Sequence, residues 1–506
     1  MNEAQKKNLE LIMTTLAASR QFDHAAKIVN FDQETICPPK GMADQGEVLA
    51  MLENQSFRLT KEPQFTAAVE ALYQEKEGLD PLDRALIKHL HRDYSKSKNI
   101  TPDKNLEFQK IYNQGFVDWI NAKKHADFSL FEKSLAKVRD ANLEDLSLRE
   151  YDGEKPKTKY DALFDDYEEG MTEQDLDAAF GAFAERMTPM LREIKTHGKK
   201  IRTDFLTREV TDVQQQEMAD YLLHLLKFDF ERGAWTTTEH PFTDNIGKDD
   251  ARVTTHYYPT NFLSSMFSII HECGHALFMQ LQPAEDYDHD INDLQTMGMH
   301  ESVSRFYENR IGRSRAFISL IYPKCCEIFP QVFTDVSEEE FYEAVNVVEP
   351  SLVRTEADEF TYTFHIIIRY ELEKRIVNGE LEVDSELPDK WNTLYEKYLG
   401  VTPANDREGI LQDVHWASGF GYFPTYAIGN MYNAMYYNRM AQDLNIEETI
   451  RAGRFDIINS WMAEHVFKEA NRLAPKDWIR QVTGRDFTPE DFLAYLEKKY
   501  SALYEI

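Results

Sequence analysis

The stretch SSMFSIIHECGHALFMQLQP, from Ser264 to Pro283, constrains this chain more than any other part of it. Its apolar residues recur at three- and four-residue intervals, a pattern typical of a buried helix. His271 and His275 are four residues apart, so both imidazoles lie on one helix face, one turn from each other. Burying two histidines and a glutamate without a partner would be costly. A metal ion supplies that partner, and the sequence therefore predicts a metal site.

The HECGH pattern also predicts the type of metal chemistry. Two imidazoles suit zinc, although the ligand type alone does not exclude cobalt. Glu272 follows the first histidine and is placed to take a proton from the water that the metal activates. We expect the helix to begin at residues 259–260, to end at Pro283, and to bury an apolar surface formed by Phe262, Met266, Ile269, Ile270, Cys273 and Leu277.

A catalytic zinc ion requires three protein ligands and one open position. A second helical stretch, MGMHESVSRFYENRIG, offers Glu301, which lies 26 residues after His275 (301 − 275), and we predict it as the third ligand. His300 is the competing choice at this point of the chain. Glu308 is expected to be a supporting or structural partner two turns further on. Arg305 would either orient Glu301 or form a salt bridge with it along the helix, and the salt bridge is the simpler expectation.

Helical periodicity recurs along the rest of the chain and predicts a mainly α fold. One region differs: residues 233–258, GAWTTTEHPFTDNIGKDDARVTTHYY, are rich in threonine, tyrosine and valine, with turn residues in the middle. They predict a small antiparallel sheet directly before the HECGH helix. No low-complexity linker or fixed-period repeat divides the sequence. We therefore expect a single domain over residues 1–506, with helical lobes on two sides of a groove.

Charge and composition exclude several classes of partner. The formal net charge is −31 and no run of lysine or arginine is present, which argues against nucleic acid and against anionic membrane surfaces. No segment approaches the roughly 18 apolar residues of a membrane span, and the first residues lack the apolar centre of a signal peptide. The chain has four cysteines, too few and too unevenly spaced for a disulfide framework. These features predict a cytoplasmic, reduced protein.

Six segments in order resemble the carboxypeptidase Taq family of zinc metallocarboxypeptidases. They are HPF (240–242), DARVTT (250–255), HECGH (271–275), HES (300–302), VRTEAD (353–358) and GILQDVHW (409–416). DQETICPPKG (32–41) and YDALFDDYEEGM (160–171) are also similar to the family, so the resemblance extends over essentially the whole chain. The sequence departs from the family's usual residues at Cys37, Val303 and Val353, and none of these is a proposed ligand.

The resemblance implies a mostly helical fold with a deep groove, related in architecture to the neurolysin-like zinc peptidases, and usually a homodimer. It also implies removal of single residues from the free C-terminus of peptides, with broad preference and poor action next to proline. An oligopeptidase or endopeptidase with the same zinc chemistry is the alternative. A non-enzymatic zinc or peptide-binding scaffold is disfavoured, because a structural site normally has four protein ligands and no use for Glu272.

Recognition of a C-terminal carboxylate favours arginine, whose planar guanidinium offers two parallel hydrogen bonds. The resemblance favours Arg354 in VRTEAD as this anchor, with Arg252 in DARVTT as the second choice. Judged from the residues alone, Arg354 would form a buried salt bridge with Asp358 or Glu356.

Stabilisation of the oxyanion requires a hydrogen-bond donor near the metal. The segment QDVHWASGFGYFPTY offers His415 and Tyr422 for this role. Aromatic residues in such a setting are also common in protein cores, and packing is an equal alternative for His415.

Overall fold

The computed structural model describes residues 1–151, 153 and 155–506, and most of these residues are helical, which confirms the predicted fold class. None of the described helices is long and apolar enough to cross a membrane. The α-helices, numbered α1–α21 in chain order, span Glu3–Thr35, Met42–Thr60, Pro63–Gln74, Pro81–Ser97, Pro102–His125, Ser129–Leu148, Lys159–Phe164, Glu173–His197, Asp212–Leu226, Phe262–Leu281, Ala284–Asp288, Met297–Arg305, Arg315–Ile328, Glu338–Ala344, Tyr362–Asn378, Leu387–Leu399, Thr425–Asp443, Ile446–Arg451, Phe455–Met462, Pro475–Thr483 and Glu490–Tyr504.

The helix with HECGH, α10, begins at Phe262 and not at the predicted residues 259–260, which form a turn. The reason is Asn261, whose side chain accepts a hydrogen bond from the Ser264 amide and so caps the first turn. The helix ends before Pro283, as predicted. The residues predicted to form its apolar surface are all buried, namely Phe262, Met266, Ile269, Ile270, Cys273 and Leu277.

Three strands, β1 (Gly233–Thr237), β2 (Thr243–Gly247) and β3 (Asp250–Thr255), form the predicted sheet in the order β1-β3-β2. The expectation of a wholly antiparallel sheet is wrong, because β1 and β3 are parallel and only β2 and β3 are antiparallel. A tight turn joins β2 to β3, as antiparallel pairing allows. After β1, by contrast, the chain passes through Pro241 to the far side of β3, and this crossing makes β1 and β3 parallel.

The described residues bury two separate apolar clusters. The larger cluster includes residues of α10, α12, α15 and α17, and the smaller one lies among α1, α3 and α4, with Ile12, Leu72 and Ile291 among its members. Helix α1 extends from the smaller cluster to the sheet, where the Lys27 ammonium donates to the Asn245 carbonyl at 2.8 Å. The sheet is thus held between α1 and α10.

Two glycines, one on α10 and one on α17, allow these helices to pack directly against the backbone of α12. A Cβ on Gly274 of α10 would lie 2.7 Å from the Ser304 Cα, and one on Gly429 of α17 would lie 3.0 Å from the Ser302 backbone nitrogen. Real Cβ atoms do not approach other atoms as closely as 2.7 Å, so α10 and α12 can meet at this distance only through glycine. Gly274 therefore sets the separation between HECGH and Glu301.

We expect Gly274→Ala to lower the free energy of unfolding by about 1–3 kcal/mol, because the added methyl group forces two helix backbones apart. Urea unfolding of the purified variant measures this. Gly181→Ala in α8 is the matched control, since its Cβ would have no neighbour within 4 Å. It should be neutral or stabilise by up to about 1 kcal/mol. Equal free energies of unfolding for the two variants would contradict the close-contact argument.

Candidate active site

Three potential metal ligands converge between α10 and α12. His271, His275 and Glu301 each offer one ligand atom, and these atoms all lie within 4.8 Å of one another. The Nε2 atoms of His271 and His275 are 3.8 and 3.7 Å from the same atom, Oε2 of Glu301. All three side chains are largely buried, with 10–17% of their surface exposed. The donor set of two imidazoles and one carboxylate fits a single metal ion with an open position.

The two carboxylate oxygens of Glu301 have different neighbours. Oε2 faces the two histidines, whereas Oε1 accepts a hydrogen bond from Arg305 Nε at 2.8 Å. Arg305 also donates from Nη1 to Glu308 Oε2 at 3.0 Å. Arg305 therefore forms the expected salt bridge with Glu301. The same contact orients Glu301, so the two roles considered for Arg305 are not exclusive.

Glu308 supports the first histidine of the motif. Its Oε2 lies 2.8 Å from His271 Nδ1, which leaves His271 Nε2 directed at Glu301. Burial alone would lower the pKa of His271, but the carboxylates of Glu301 and Glu308 outweigh this and raise it. Glu308 belongs to a π-helical segment, Phe306–Gly312, that follows α12 directly. A hydrogen bond of this kind fixes which ring nitrogen is free to bind a metal.

His300 contacts the second histidine of the motif. The Nδ1 atoms of His300 and His275 are 2.5 Å apart, and the two rings stack with centroids 4.5 Å apart. One nitrogen must donate and the other accept. Burial lowers the pKa of His300 to about 4, so a neutral His300 can accept the proton that His275 holds on Nδ1. The structure thus places His300 beside His275 and outside the group of three candidate ligands.

Glu272 lies beside these residues but is not one of the three convergent groups. The Thr243 hydroxyl on β2 is 2.7 Å from Glu272 Oε2 and 2.9 Å from the Glu272 carbonyl oxygen. Its hydroxyl hydrogen can satisfy either acceptor, and no hydrogen bond from the described residues reaches Oε1. Burial raises the pKa of Glu272, which makes the ionised carboxylate a better proton acceptor. Thr243 was not predicted, although it directly follows the HPF segment.

Arg354 lies in a buried ion-pair cluster. Its Nε and Nη2 donate to the two oxygens of Asp413 at 3.1 and 3.0 Å, and its Nη1 donates to the Tyr362 hydroxyl at 3.0 Å. Asp413 also accepts from Arg369 at 3.4 Å. The salt-bridge partner of Arg354 is therefore Asp413, not Asp358 or Glu356.

Asp358 has a different role, because its carboxylate accepts hydrogen bonds from the backbone amides of Glu349, Phe360 and Thr361. Burial raises its pKa to about 6. It shapes the turn that leads into α15.

Arg252 is directed away from the three candidate metal ligands. In the sheet, Thr243 pairs with Val253, and both face α10, where Val253 is fully buried. Side chains alternate along a strand, so Arg252 lies on the opposite face. There it forms a bidentate pair with Asp250 at 2.9 and 2.8 Å and stacks 5.0 Å from the Phe31 ring of α1. The structure does not bring Arg252 together with the other predicted site residues.

Tyr422 and His415 stack on each other, with ring centroids 5.5 Å apart. Burial raises the pKa of Tyr422, the hydrogen bond with Tyr426 opposes this, and the charge of Glu301 adds to the increase. His415 Nε2 lies 3.2 Å from the Tyr426 hydroxyl, and burial lowers the pKa of His415 to about 3. Among the described residues, no hydrogen bond joins His415 to the three ligands.

Sequence analysis did not predict four residues of this region, namely Tyr362, Arg369, Asp413 and Tyr426. The sequence did contain an indication for two of them. Asp413 lies within GILQDVHW, and Arg369 interrupts the apolar run FHIIIRY in α15, where a charged residue requires a partner. Arg369 is fully buried, and the ring of Phe423 lies 4.2 Å from its guanidinium carbon.

Residues 12–500 match the family described as carboxypeptidase Taq (M32) metallopeptidase. Carboxypeptidase 1 of Bacillus subtilis is 36% identical over 485 residues, which cover 96% of each chain. Thermostable carboxypeptidase 1 of Thermus thermophilus is 35% identical over 483 residues, or 94% of each chain.

The fold agrees with these sequence relationships. The crystal structure of an M32 carboxypeptidase from Deinococcus radiodurans superposes with a TM-score of 0.94 at 29% identity, covering 99% of this chain and 100% of the other. The match thus extends over nearly the whole chain in both sequence and structure. The chain belongs to the carboxypeptidase Taq family, and it is a metallocarboxypeptidase, a peptide hydrolase that uses a metal cofactor.

Proposed function

We propose that this enzyme is zinc-dependent and removes single residues from the free C-terminus of peptides. The observation that supports this most strongly is the position of Arg354, a buried cation that is linked through Tyr362 to the metal-ligand group. Tyr362 accepts a hydrogen bond from Arg354 and lies 4.2 Å from the guanidinium of Arg305, which itself contacts Glu301. A buried cation that is linked in this way to the metal-ligand group is suited to a substrate carboxylate.

His271, His275 and Glu301 would hold the metal. The two imidazoles and one carboxylate are a ligand set that zinc hydrolases use, and cobalt is an alternative that the same atoms would accept. When bound, the ion supplies a Lewis acid that activates water and polarises the peptide carbonyl group.

Glu272 is the proposed proton acceptor and later the proposed proton donor. With Oε2 engaged by Thr243, Oε1 accepts a proton from the attacking water and later returns it to the leaving amine. Tyr422 is the proposed donor to the developing oxyanion, since its buried hydroxyl feels the charge of Glu301. His415 has weaker support for the same role, because its hydrogen bond goes to Tyr426.

Arg354 would bind the C-terminal carboxylate end-on. Asp413 accepts hydrogen bonds from the N–H of Nε and from one N–H of Nη2, and the Tyr362 hydroxyl accepts one from Nη1. One N–H remains on each of Nη1 and Nη2, and these two match the two oxygens of a carboxylate. Because Asp413 also pairs with Arg369, it does not neutralise Arg354 completely.

The remaining features of the proposal rest on the sequence and its family resemblance. They are broad preference at the cleaved residue, poor action next to proline, a homodimer and a cytoplasmic location. Exposed apolar side chains on α5, at Leu106, Phe116, Val117 and Ile120, support contact with a second copy. The four cysteines are all free, which supports a reducing compartment.

Glu272→Gln should keep its metal and lose turnover by roughly 10²- to 10⁴-fold, because the amide cannot accept the proton. Metal analysis of the purified variant, together with kcat on a peptide substrate, measures both quantities. A loss of metal in parallel with activity would show instead that Glu272 is a ligand.

Glu301→Ala should lower metal affinity more than His300→Ala does. Loss of His300 removes only a hydrogen-bond partner of a ligand, which typically costs about 10- to 100-fold in affinity. Competition with a chromogenic chelator gives the two dissociation constants, and Glu272→Gln serves as the control that retains all ligands. The reverse order of affinities would make His300 the third ligand.

Arg354→Ala should cost about 2–5 kcal/mol in transition-state binding of a peptide with a free C-terminus. For the same peptide as its C-terminal amide, wild type and variant should have nearly equal kcat/KM, because the charge that Arg354 binds is absent. The four kcat/KM values form a cycle that isolates the coupling between Arg354 and the carboxylate. An equal loss on both peptides would make Arg354 a structural residue, and an oligopeptidase would be the better description.

A further inference from the structure

Tyr362 lies between the metal-ligand group and the proposed carboxylate anchor. One face of its ring is 4.2 Å from the guanidinium carbon of Arg305, and its hydroxyl accepts a hydrogen bond from Arg354 Nη1 at 3.0 Å. Arg305 is in turn bonded to Glu301 and Glu308. Tyr362 is therefore the side chain that touches both a residue holding the metal ligands and the residue that would bind substrate.

We propose that Tyr362 is a positioning residue that fixes the Arg354 guanidinium relative to the metal ligands, and thereby makes the enzyme select peptides with a free C-terminus. This inference rests on the proposed role of Arg354. It adds a residue that does not itself bind substrate but determines where the carboxylate is held.

Asp413 alone cannot define the orientation of Arg354. It binds one edge of the guanidinium, through Nε and Nη2, and the rings of Tyr426 and Phe423 lie against the group at 4.7 and 5.2 Å, but none of these contacts restrains Nη1 by a hydrogen bond. The Tyr362 hydroxyl contacts Nη1 and supplies that restraint. With both contacts present, the two N–H groups left for substrate point in one fixed direction, as bidentate recognition of a carboxylate requires.

Tyr362 can fix Arg354 only if it is itself held in place. Tyr362 is 4% exposed, and its aromatic face meets a cation, a contact that gains strength when desolvated. That cation, Arg305, has two carboxylate partners and cannot follow a movement of the ring without breaking one of these bonds. The separation between the metal ligands and Arg354 is thus set by a continuous row of buried contacts.

A packing role alone makes a different prediction. If Tyr362 only filled the core, its replacement would lower stability and reduce activity by the same factor on every peptide. A positioning role instead affects the peptide with a free C-terminus and spares its amide, since only the former uses the Arg354 guanidinium. The ratio of kcat/KM for the acid to kcat/KM for the amide distinguishes the two roles.

The test uses the metal-loaded enzyme and one peptide in its free-acid and amide forms. Tyr362→Phe keeps the ring and removes the hydroxyl, and it should lower kcat/KM for the acid roughly tenfold, as expected for a lost hydrogen bond to a charged group. On the amide the change should stay within about twofold, and metal content should be unchanged. Tyr362→Leu, which also removes the ring, should lower the acid-to-amide ratio further.

Tyr500→Phe is the matched control. Its hydroxyl is also buried and bonded to a charged group, Glu359, at 3.1 Å, but it has no contact with Arg354 among the hydrogen bonds of the described residues. This variant should lose stability and keep the wild-type acid-to-amide ratio. It corrects the Tyr362→Phe result for the general effect of deleting a buried hydroxyl.

The outcomes separate this inference from the proposed function. If Arg354→Ala abolishes the preference for the acid while Tyr362→Phe keeps the same ratio as Tyr500→Phe, Tyr362 is a packing residue and the inference is overturned. If Arg354→Ala itself leaves the preference intact, the anchor assignment fails and the inference fails with it. A ratio that falls in Tyr362→Phe and not in Tyr500→Phe supports the positioning role.

Discussion

The geometry of the site depends on one buried cation, Arg305, that is shared by two buried carboxylates. Two carboxylates in a low-dielectric region repel each other, and the guanidinium that bridges them offsets this repulsion. In this arrangement Glu301 faces the histidine nitrogens and Glu308 holds His271. A lysine at this position would supply the charge but not the planar fork that orients two partners at once.

Two imidazoles of the same motif are supported by groups of different charge. His271 is held by the carboxylate of Glu308, which increases its basicity, whereas His275 is held by the neutral ring of His300. The first histidine is therefore the stronger electron donor of the two. Helix packing keeps this unequal pair in register with Glu301, since glycines on α10 and α17 bring both helices against the backbone of α12.

Sequence periodicity and spacing were sufficient for the helical class, for the HECGH helix and for bringing Glu301 beside its two histidines, because these depend on local geometry along a helix or on a second helical stretch nearby in the sequence. They were not sufficient for Thr243, Tyr362 or Asp413, because each of these residues contacts a partner on a different segment and no periodicity along one helix links the two. The parallel pairing of β1 with β3 was missed for the same reason. Pairing direction depends on how the chain crosses the sheet, and residue alternation does not record that path.

The π-helical segment after α12 has a consequence for how this part of the chain tolerates change in length. A π-turn contains about one residue more than an α-turn, so such a segment accommodates an added residue without unwinding the helix. Removing one residue between Phe306 and Gly312 would restore an ordinary α-turn and rotate the following side chains by about 100°. A surface loop would tolerate the same deletion. In this segment the deletion would rotate Glu308 or Arg313 away from α10.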